Sequence, residues 1–215
     1  IISIFSFVGI SLGVAVLIIV MSVMNGFRTE LINKITGFNS HITVQPYEDK
    51  IDTKRIKNTK LQFISKNLIF SNSNEAVIFR KDNSKGIVLR GYSSKDFSDL
   101  EIINNENFFG EKNNLTRDNI SIGKELAFTL GLKIGDEIAI MSPSGIETII
   151  GNLPKQKSFT VKSFFESGLA DFDNNIAFIN LNTFEEFFGK KSSDRNLEIF
   201  LKNPQDIENK KIIVQ

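Results

Sequence analysis

The 215 residues carry 26 Lys and Arg against 25 Asp and Glu, a net charge of +1. No overall field draws nucleic acid, and no nucleic-acid-reading motif occurs. The absence of cysteine excludes disulfides, Cys-ligated zinc and thiol catalysis, and the length suits one or two ordinary domains.

Ile1 to Met24 holds no charged residue and no Pro. A helix rising about 1.5 Å per residue would cover a hydrocarbon core of about 30 Å with this run, which predicts a transmembrane helix over 1–24. A buried core helix seldom runs so long without a charge. A cleaved signal peptide would be shorter and end in a small-residue site, which MSVMNGF does not offer. The chain lacks an initiator Met, so the expectation is a stretch from inside a longer protein. Gly9 and Gly13 lie four apart, as do Ser11 and Ala15. Small residues at that spacing admit a second helix closely in lipid. Past Asn25 and Gly26, the apolar residues Phe27, Leu31, Ile35 and Phe38 recur at helical spacing among Arg28, Glu30 and Lys34. That pattern predicts an amphipathic stalk over 25–40, continuous with the span.

From His41 the chain reads as an α+β domain over 41–215. HITVQP alternates and ends at Pro, the pattern of a strand. Thr53 to Phe70 has helical spacing at Ile56, Leu61, Ile64 and Leu68. EAVIFR and GIVLRGYS read as strands joined by a turn at KDNSKG. Ile103 to Asn119 reads as loop with a short helix. SIGKELAFTLGLKIGDEIAIMS gives a strand end, a helix over Lys124–Leu130, a Gly-Leu exit, a turn at Gly135-Asp136 and a further strand. The stretch TIIGNLPKQKSF then sets Ile149, Ile150 and Leu153 beside Lys155 and Lys157 near the tip of a long connection. FTVKSFFES is the next strand. NIAFINLNTFEEFFG gives a strand and a helix with Asn182 as expected N-cap, and LEIFLKNP the last strand.

Residue patterns for catalysis are missing. The one His, His41, opens a strand and reads as a surface or capping residue. HExxH, GxSxG and GxxxxGK[ST] do not occur, so nucleotide binding through a P-loop is excluded. Asp171 and Asp173 lack the Gly and further ligands of a calcium loop and read as a solvated turn. The expectation is a chain that is not an enzyme, with no cofactor and no metal site of its own.

GISLGVAVLIIVMSVMNGFRTELINKITGFNSHITV resembles the first membrane helix and stalk of the LolC/LolE-type lipoprotein-releasing permeases, within the FtsX/MacB-like ABC transporter superfamily. SIGKELAFTLGLKIGDEIAIMSP and FTVKSFFESGLADFDNNIAFINL look like segments of that family's periplasmic domain. The resemblance is weakest over Asp49–Ser73 and Ile102–Asn119. It implies a helix of the bacterial inner membrane followed by a two-lobed periplasmic domain: one α/β lobe built from both ends of the segment, and an inserted, β-richer lobe. It also implies truncation at both ends, and a role in moving lipoproteins from the membrane to a soluble LolA-like carrier. ATP would be bound by a separate LolD-like cytoplasmic subunit, and the second permease would be a different subunit or a copy of this chain.

In that family a β-hairpin hooks the carrier. The resemblance places it at about 146–159 here, with Ile149, Ile150, Gly151, Asn152, Leu153, Pro154, Lys155 and Lys157 as carrier-binding residues. The apolar side chains would anchor, Pro154 would pre-set the backbone, and the lysines would steer an acidic surface. Lys155 stands where relatives often have Arg, and Lys lacks the bidentate fork. Val20, Val23, Met24 and Phe27 match the level at which the family holds acyl chains, with Gly9 and Gly13 as a helix-packing pair. The alternatives are a MacB-like efflux permease and an FtsX-like regulator of a cell-wall hydrolase.

Overall fold

Helix α1 runs unbroken from Ile2 to Phe38, in a computed structural model that describes residues 2–46, 51, 61–81, 83–104, 106–112, 115–148 and 151–202. Its first 31 residues, Ile2–Ile32, have a mean hydropathy of 2.7 in their most apolar window, none of it buried within the chain. Neither Gly9, Gly13 nor Gly26 interrupts it. The chain divides into two compact units, Ile1–Gly37 and Phe38–Gln215.

The second unit is α+β with two lobes. Its strands are β1 (Ile42–Val44), β2 (Ser65–Arg80), β3 (Asn83–Tyr92), β4 (Phe109–Gly110), β5 (Asn119–Gly123), β6 (Glu137–Thr148), β7 (Gly151–Phe165), β8 (Ile176–Asn180) and β9 (Asn196–Leu201). The helices between them are α2 (Leu61–Ile64), α3 (Ser94–Ser98), α4 (Glu101–Asn104), α5 (Lys124–Leu130), α6 (Ala170–Asn175) and α7 (Leu181–Phe188).

Six of the strands close on themselves. β2 pairs antiparallel with β3, β3 parallel with β8, β8 antiparallel with β5, β5 parallel with β7, and β7 antiparallel with β6. β6 then returns to β2 through Val77–Phe79 against Ala139–Met141. Alternation along each strand sends one set of side chains inward. Ile78, Leu89, Ile122, Ile140, Val161 and Ile179, one from each strand, are fully enclosed. A barrel this small is filled by its own side chains. Leu126 and Leu130 of α5 and Phe184 and Phe187 of α7 belong to the same core.

The smaller lobe comes from both ends of the unit. β9 lies between β1 and the first half of β2, with Ile42 opposite Ile199 and Leu68 opposite Ile199 on the other side. Leu61, Leu197, Ile199 and Leu201 form its core. β2 therefore belongs to both lobes: Ser65–Ser71 pairs with β9 and Asn72–Arg80 with β3. A third cluster fills the space outside the barrel wall. There Phe178 contacts Phe165 at 4.9 Å, Phe97 at 5.6 Å and Tyr92 at 5.7 Å between ring centroids.

Several elements differ from the sequence expectation. The helix expected over Thr53–Phe70 is helical only at Leu61–Ile64 among its described residues, and 53–60 lie outside them. From Ser65 the chain is strand, because pairing with β9 and burial of Ile69 outweigh a local spacing that fits either state. The turn expected at KDNSKG is tighter. Asn83 already faces Arg80 in the ladder, and Lys81 takes a φ of 50°. The short helices α3 and α4 precede most of Ile103–Asn119, and Phe109–Gly110 adds to the edge of β7. The N-cap of α7 is Asn180, not Asn182: its side chain accepts from the Asn182 and Thr183 amides as soon as β8 ends. Asp173 is not in a solvated turn. It is buried, its two oxygens accept the Ser167 amide at 2.8 and 3.1 Å, and burial raises its carboxyl above the ordinary range. A Cβ on Gly123 would stand 1.8 Å from the Asp173 carbonyl oxygen, so only Gly admits this approach of α6 to β5.

Candidate functional site

The long connection of the sequence is a continuous hairpin. β6 and β7 stay paired from Glu137 and Thr160 out to Thr148 and Gly151. Near the barrel β6 also pairs with β2 and β7 with β5. From Ser142 and Lys155 outward the two strands pair only with each other among the described residues. The ladder shifts between Ser142 opposite Lys155 and Ile146 opposite Leu153. Three residues of β6, beginning with Pro143, stand there against Pro154 alone. Neither Pro can donate a ladder hydrogen bond, which is where strands accept a bulge and a bend.

Gly151, Asn152 and Leu153 sit in register with Thr148, Glu147 and Ile146. Ile149 and Ile150 lie outside the described residues. Pro154 is exposed. The two lysines are turned onto their own domain. Lys155 Nζ donates to the Glu186 carbonyl oxygen at 2.6 Å, in the last turn of α7, where backbone acceptors lack helical partners. Lys157 Nζ bonds Asp118 at 2.7 Å and lies 5.5 Å from the centre of the Phe159 ring. That hydrogen bond holds the Asp118 carboxyl below its ordinary range.

On α1, Gly9, Gly13, Val20, Val23, Met24 and Phe27 fall within a stripe about 100° wide at 3.6 residues per turn. Val20, Val23, Met24 and Phe27 are each more than half exposed within this chain. A Cβ on Gly9 or Gly13 would meet nothing within 4 Å. The stripe is open to lipid or to another helix. At about 1.5 Å per residue α1 is ~55 Å long, about 25 Å more than a bilayer core requires.

The second unit's first residues are held by side chains that the sequence reading did not single out. Arg90 and Glu198 form a buried ion pair at 2.9 Å. Glu198 also accepts from Ser71 Oγ at 2.5 Å and from Tyr92 Oη at 2.8 Å. Burial works against the charge on Arg90, and Tyr92 and Glu198 more than offset it. Burial also pushes the Tyr92 phenol well above its ordinary range, so it stays a neutral donor. Arg90 Nη1 donates to Asn39 Oδ1 at 3.2 Å. His41 donates its amide to the Ile199 carbonyl and accepts the Leu201 amide at Nδ1, each at 3.0 Å. Its Nε2 is buried without a partner among the described residues.

His41 gives a pH prediction. Burial lowers its pKa, with Glu101 opposing, and a protonated Nδ1 cannot accept the Leu201 amide. The folded value lies below the unfolded one, so His41's contribution is fully present above about pH 6.5 and is lost as pH falls through the folded value. Melting temperatures measured across that range should fall on acidification. His41→Asn, which keeps an acceptor and does not titrate, should flatten that part of the profile.

The family model described as the MacB-like periplasmic core domain matches residues 3–211. The chain belongs to this family. Among curated relatives, the lipoprotein-releasing system transmembrane protein LolC of Neisseria meningitidis is 26% identical over 206 residues, covering 94% of this chain and 49% of the relative. LolC of Haemophilus influenzae is 32% identical over 178 residues, covering 80% of this chain and 44% of the relative. This MacB-like chain thus spans about half the length of the curated relatives it matches. Among solved structures, the extracellular domain of the noncanonic ABC-type transporter YknZ from Gram-positive bacteria is 14% identical with a TM-score of 0.46, covering 78% of this chain and 88% of that one. In this MacB-like domain the hairpin was marked in sequence by its Pro and its Lys pair. Arg90 and Glu198 were marked only by sharing strand faces with Tyr92 and Phe200.

Proposed function

We propose that this chain is part of a permease of an ABC transporter that takes lipoproteins from the bacterial inner membrane and passes them to a soluble periplasmic carrier. The observation that carries the reading is the hairpin, whose outer rungs leave the barrel and pair only with each other among the described residues. It sits in a MacB-like domain that follows a transmembrane helix and whose relatives include proteins named for lipoprotein release. The carrier is of the LolA type. ATP is bound and hydrolysed by a LolD-like cytoplasmic subunit, and this chain supplies no catalytic group and no cofactor site. The permease pairs with a second permease subunit or with its own copy, and acyl chains lie against the α1 stripe near Val20, Val23, Met24 and Phe27.

In this reading the hairpin offers backbone hydrogen bonds and apolar side chains to a sheet-rich carrier. Lys155 and Lys157 brace its base, since both amines are engaged within the domain. Binding of the detergent-solubilised permease to the carrier from the same cell is the test. A Leu153→Ala, Pro154→Ala variant should bind about thirtyfold more weakly, as expected when an interface anchor is lost. If removing Ile149–Lys157 leaves both carrier binding and transport intact, the efflux reading gains and this one is lost.

A further inference from the structure

We infer that the edge of β2 between Asn72 and Ala76 is a binding site for an extended peptide, and that its occupant is the peptide portion of the lipoprotein substrate. The choice of occupant rests on the proposed transport role. The site itself rests on backbone geometry inside the second unit.

Along one edge, β2 pairs with β3 from Asn72 to Arg80. Along the other it changes partner. β9 covers Ser65–Ser71, with Asn196 opposite Ser71, and β6 covers Val77–Phe79. Asn72–Ala76 has no strand on that side among the described residues, which leaves ~17 Å of edge at about 3.4 Å per residue. The cause lies in β6. Two residues past Met141, the position that would face Glu75 is Pro143, which has no N–H to donate. β6 leaves β2 there and continues with β7 alone.

One amide shows which way the open backbone points. Glu75 N–H, in the middle of the ladder to β3, is taken by the Asn74 side-chain oxygen at 3.0 Å. It therefore faces away from β3. By the alternation of an antiparallel ladder, the N–H and C=O of Ser73 face the same way. An open edge of this kind pairs with an extended chain.

A hollow opens at each end of the gap. One, of about 350 Å³, is lined by the carboxamides of Gln45, Asn72 and Asn196 and by Ser73, Lys190 and Asp194. A carboxamide offers a donor and an acceptor together, as a peptide unit does in return. Lys190 and Asp194 bring opposite charges, so the hollow favours no ionic ligand. The other, of about 360 Å³, is lined by Val77, Gly86, Val88 and Pro143 beside Glu75, and suits an apolar side chain. With β9 at one end and the hairpin at the other, the gap fits a single extended segment better than the edge of a folded sheet. Pairing through backbone groups reads no sequence. That suits a transporter of many lipoproteins, whose peptide chains share only their backbone.

The test uses the whole detergent-solubilised protein and a fluorescein-labelled, lipid-free octapeptide of Ser and Asn with one Val, followed by fluorescence anisotropy. The plain peptide should bind. Methylating every backbone nitrogen of the peptide should weaken binding about tenfold or more, because the bonds to β2 carbonyls are lost. Ser73→Pro, which removes an N–H from the gap, should weaken the plain peptide by a similar factor, and Ser73→Ala, which keeps it, should change little. If Ser73→Pro does not fold, the methylated peptide on the unaltered protein decides. Equal binding of both peptides, or no binding of the plain one at millimolar concentration, overturns the site. A purified lipoprotein from the same cell should displace the peptide. Displacement instead by the carrier, in the Leu153→Ala, Pro154→Ala background where the hairpin no longer holds it, overturns the choice of occupant. Peptide binding needs neither carrier nor transport, so failure of the site leaves the hairpin reading standing, and loss of the hairpin reading leaves the site.

Discussion

Replacing Glu198 with Ala is expected to destabilise the domain by about 3–5 kcal/mol, the cost of breaking a buried pair from one side. The Glu198 side chain is 5% exposed and that of Arg90 11%. Water cannot take over the lost interactions. The truncation leaves the guanidinium charged in the core and removes the acceptor of Ser71 Oγ and Tyr92 Oη as well. The melting temperature of the protein, followed through the domain, should drop by on the order of 10 °C for a unit of this size. Arg90→Met with Glu198→Leu removes both charges together and should cost far less, since no uncompensated charge remains. A Glu198→Ala melt equal to the wild type would mean that the pair is solvated in the folded protein.

The contrast between that pair and the barrel explains what could be read from the sequence. The inward residues of the barrel follow a period of two, as in Ile120 and Ile122 or Ile138 and Ile140, and α1 declares itself by length without charge. Those signals are local. Barrel closure is not, because it rests on β3 meeting β8 and β5 meeting β7 in parallel, across long stretches of chain. In LEIFL, Leu197, Ile199 and Leu201 mark one buried face, and Glu198 then reads as the solvent side. Phe200 shares that side, and β9 is in fact covered on both faces by different cores. Along β3 the outer face changes character: Val88 is 37% exposed, whereas Arg90 and Tyr92 are buried. A charge at such a changeover looks ordinary in sequence. The hairpin was half legible for a related reason. Its two prolines argue against a strand, yet they lie at the bulge, where the ladder asks for no donor.

If the proposed transport role holds, inserting a short Gly-rich segment after Phe38 should reduce lipoprotein release about tenfold or more, the scale of a typical coupling free energy between sites, while ATP hydrolysis by the proposed partner subunit continues. Helix α1 has no break from Ile2 to Phe38, and its hydrogen-bonded backbone makes the span and the stalk one piece. Directly beyond it, Asn39 and His41 are tied to β3 and β9. In the proposed transport role, a displacement of the span would have to pass through these residues to reach the domain. Glycines have the widest backbone freedom of any residue and make a flexible joint of the insertion. Movement of the helix would then be spent in bending that joint. An insertion of the same length made of Ala, Glu and Lys extends the helix instead, so it displaces the domain but keeps the connection stiff. Release lost with the Gly-rich insertion and partly kept with the helical one identifies stiffness, not length, as what matters. Full release with the Gly-rich insertion would show that the domain works without rigid transmission from α1.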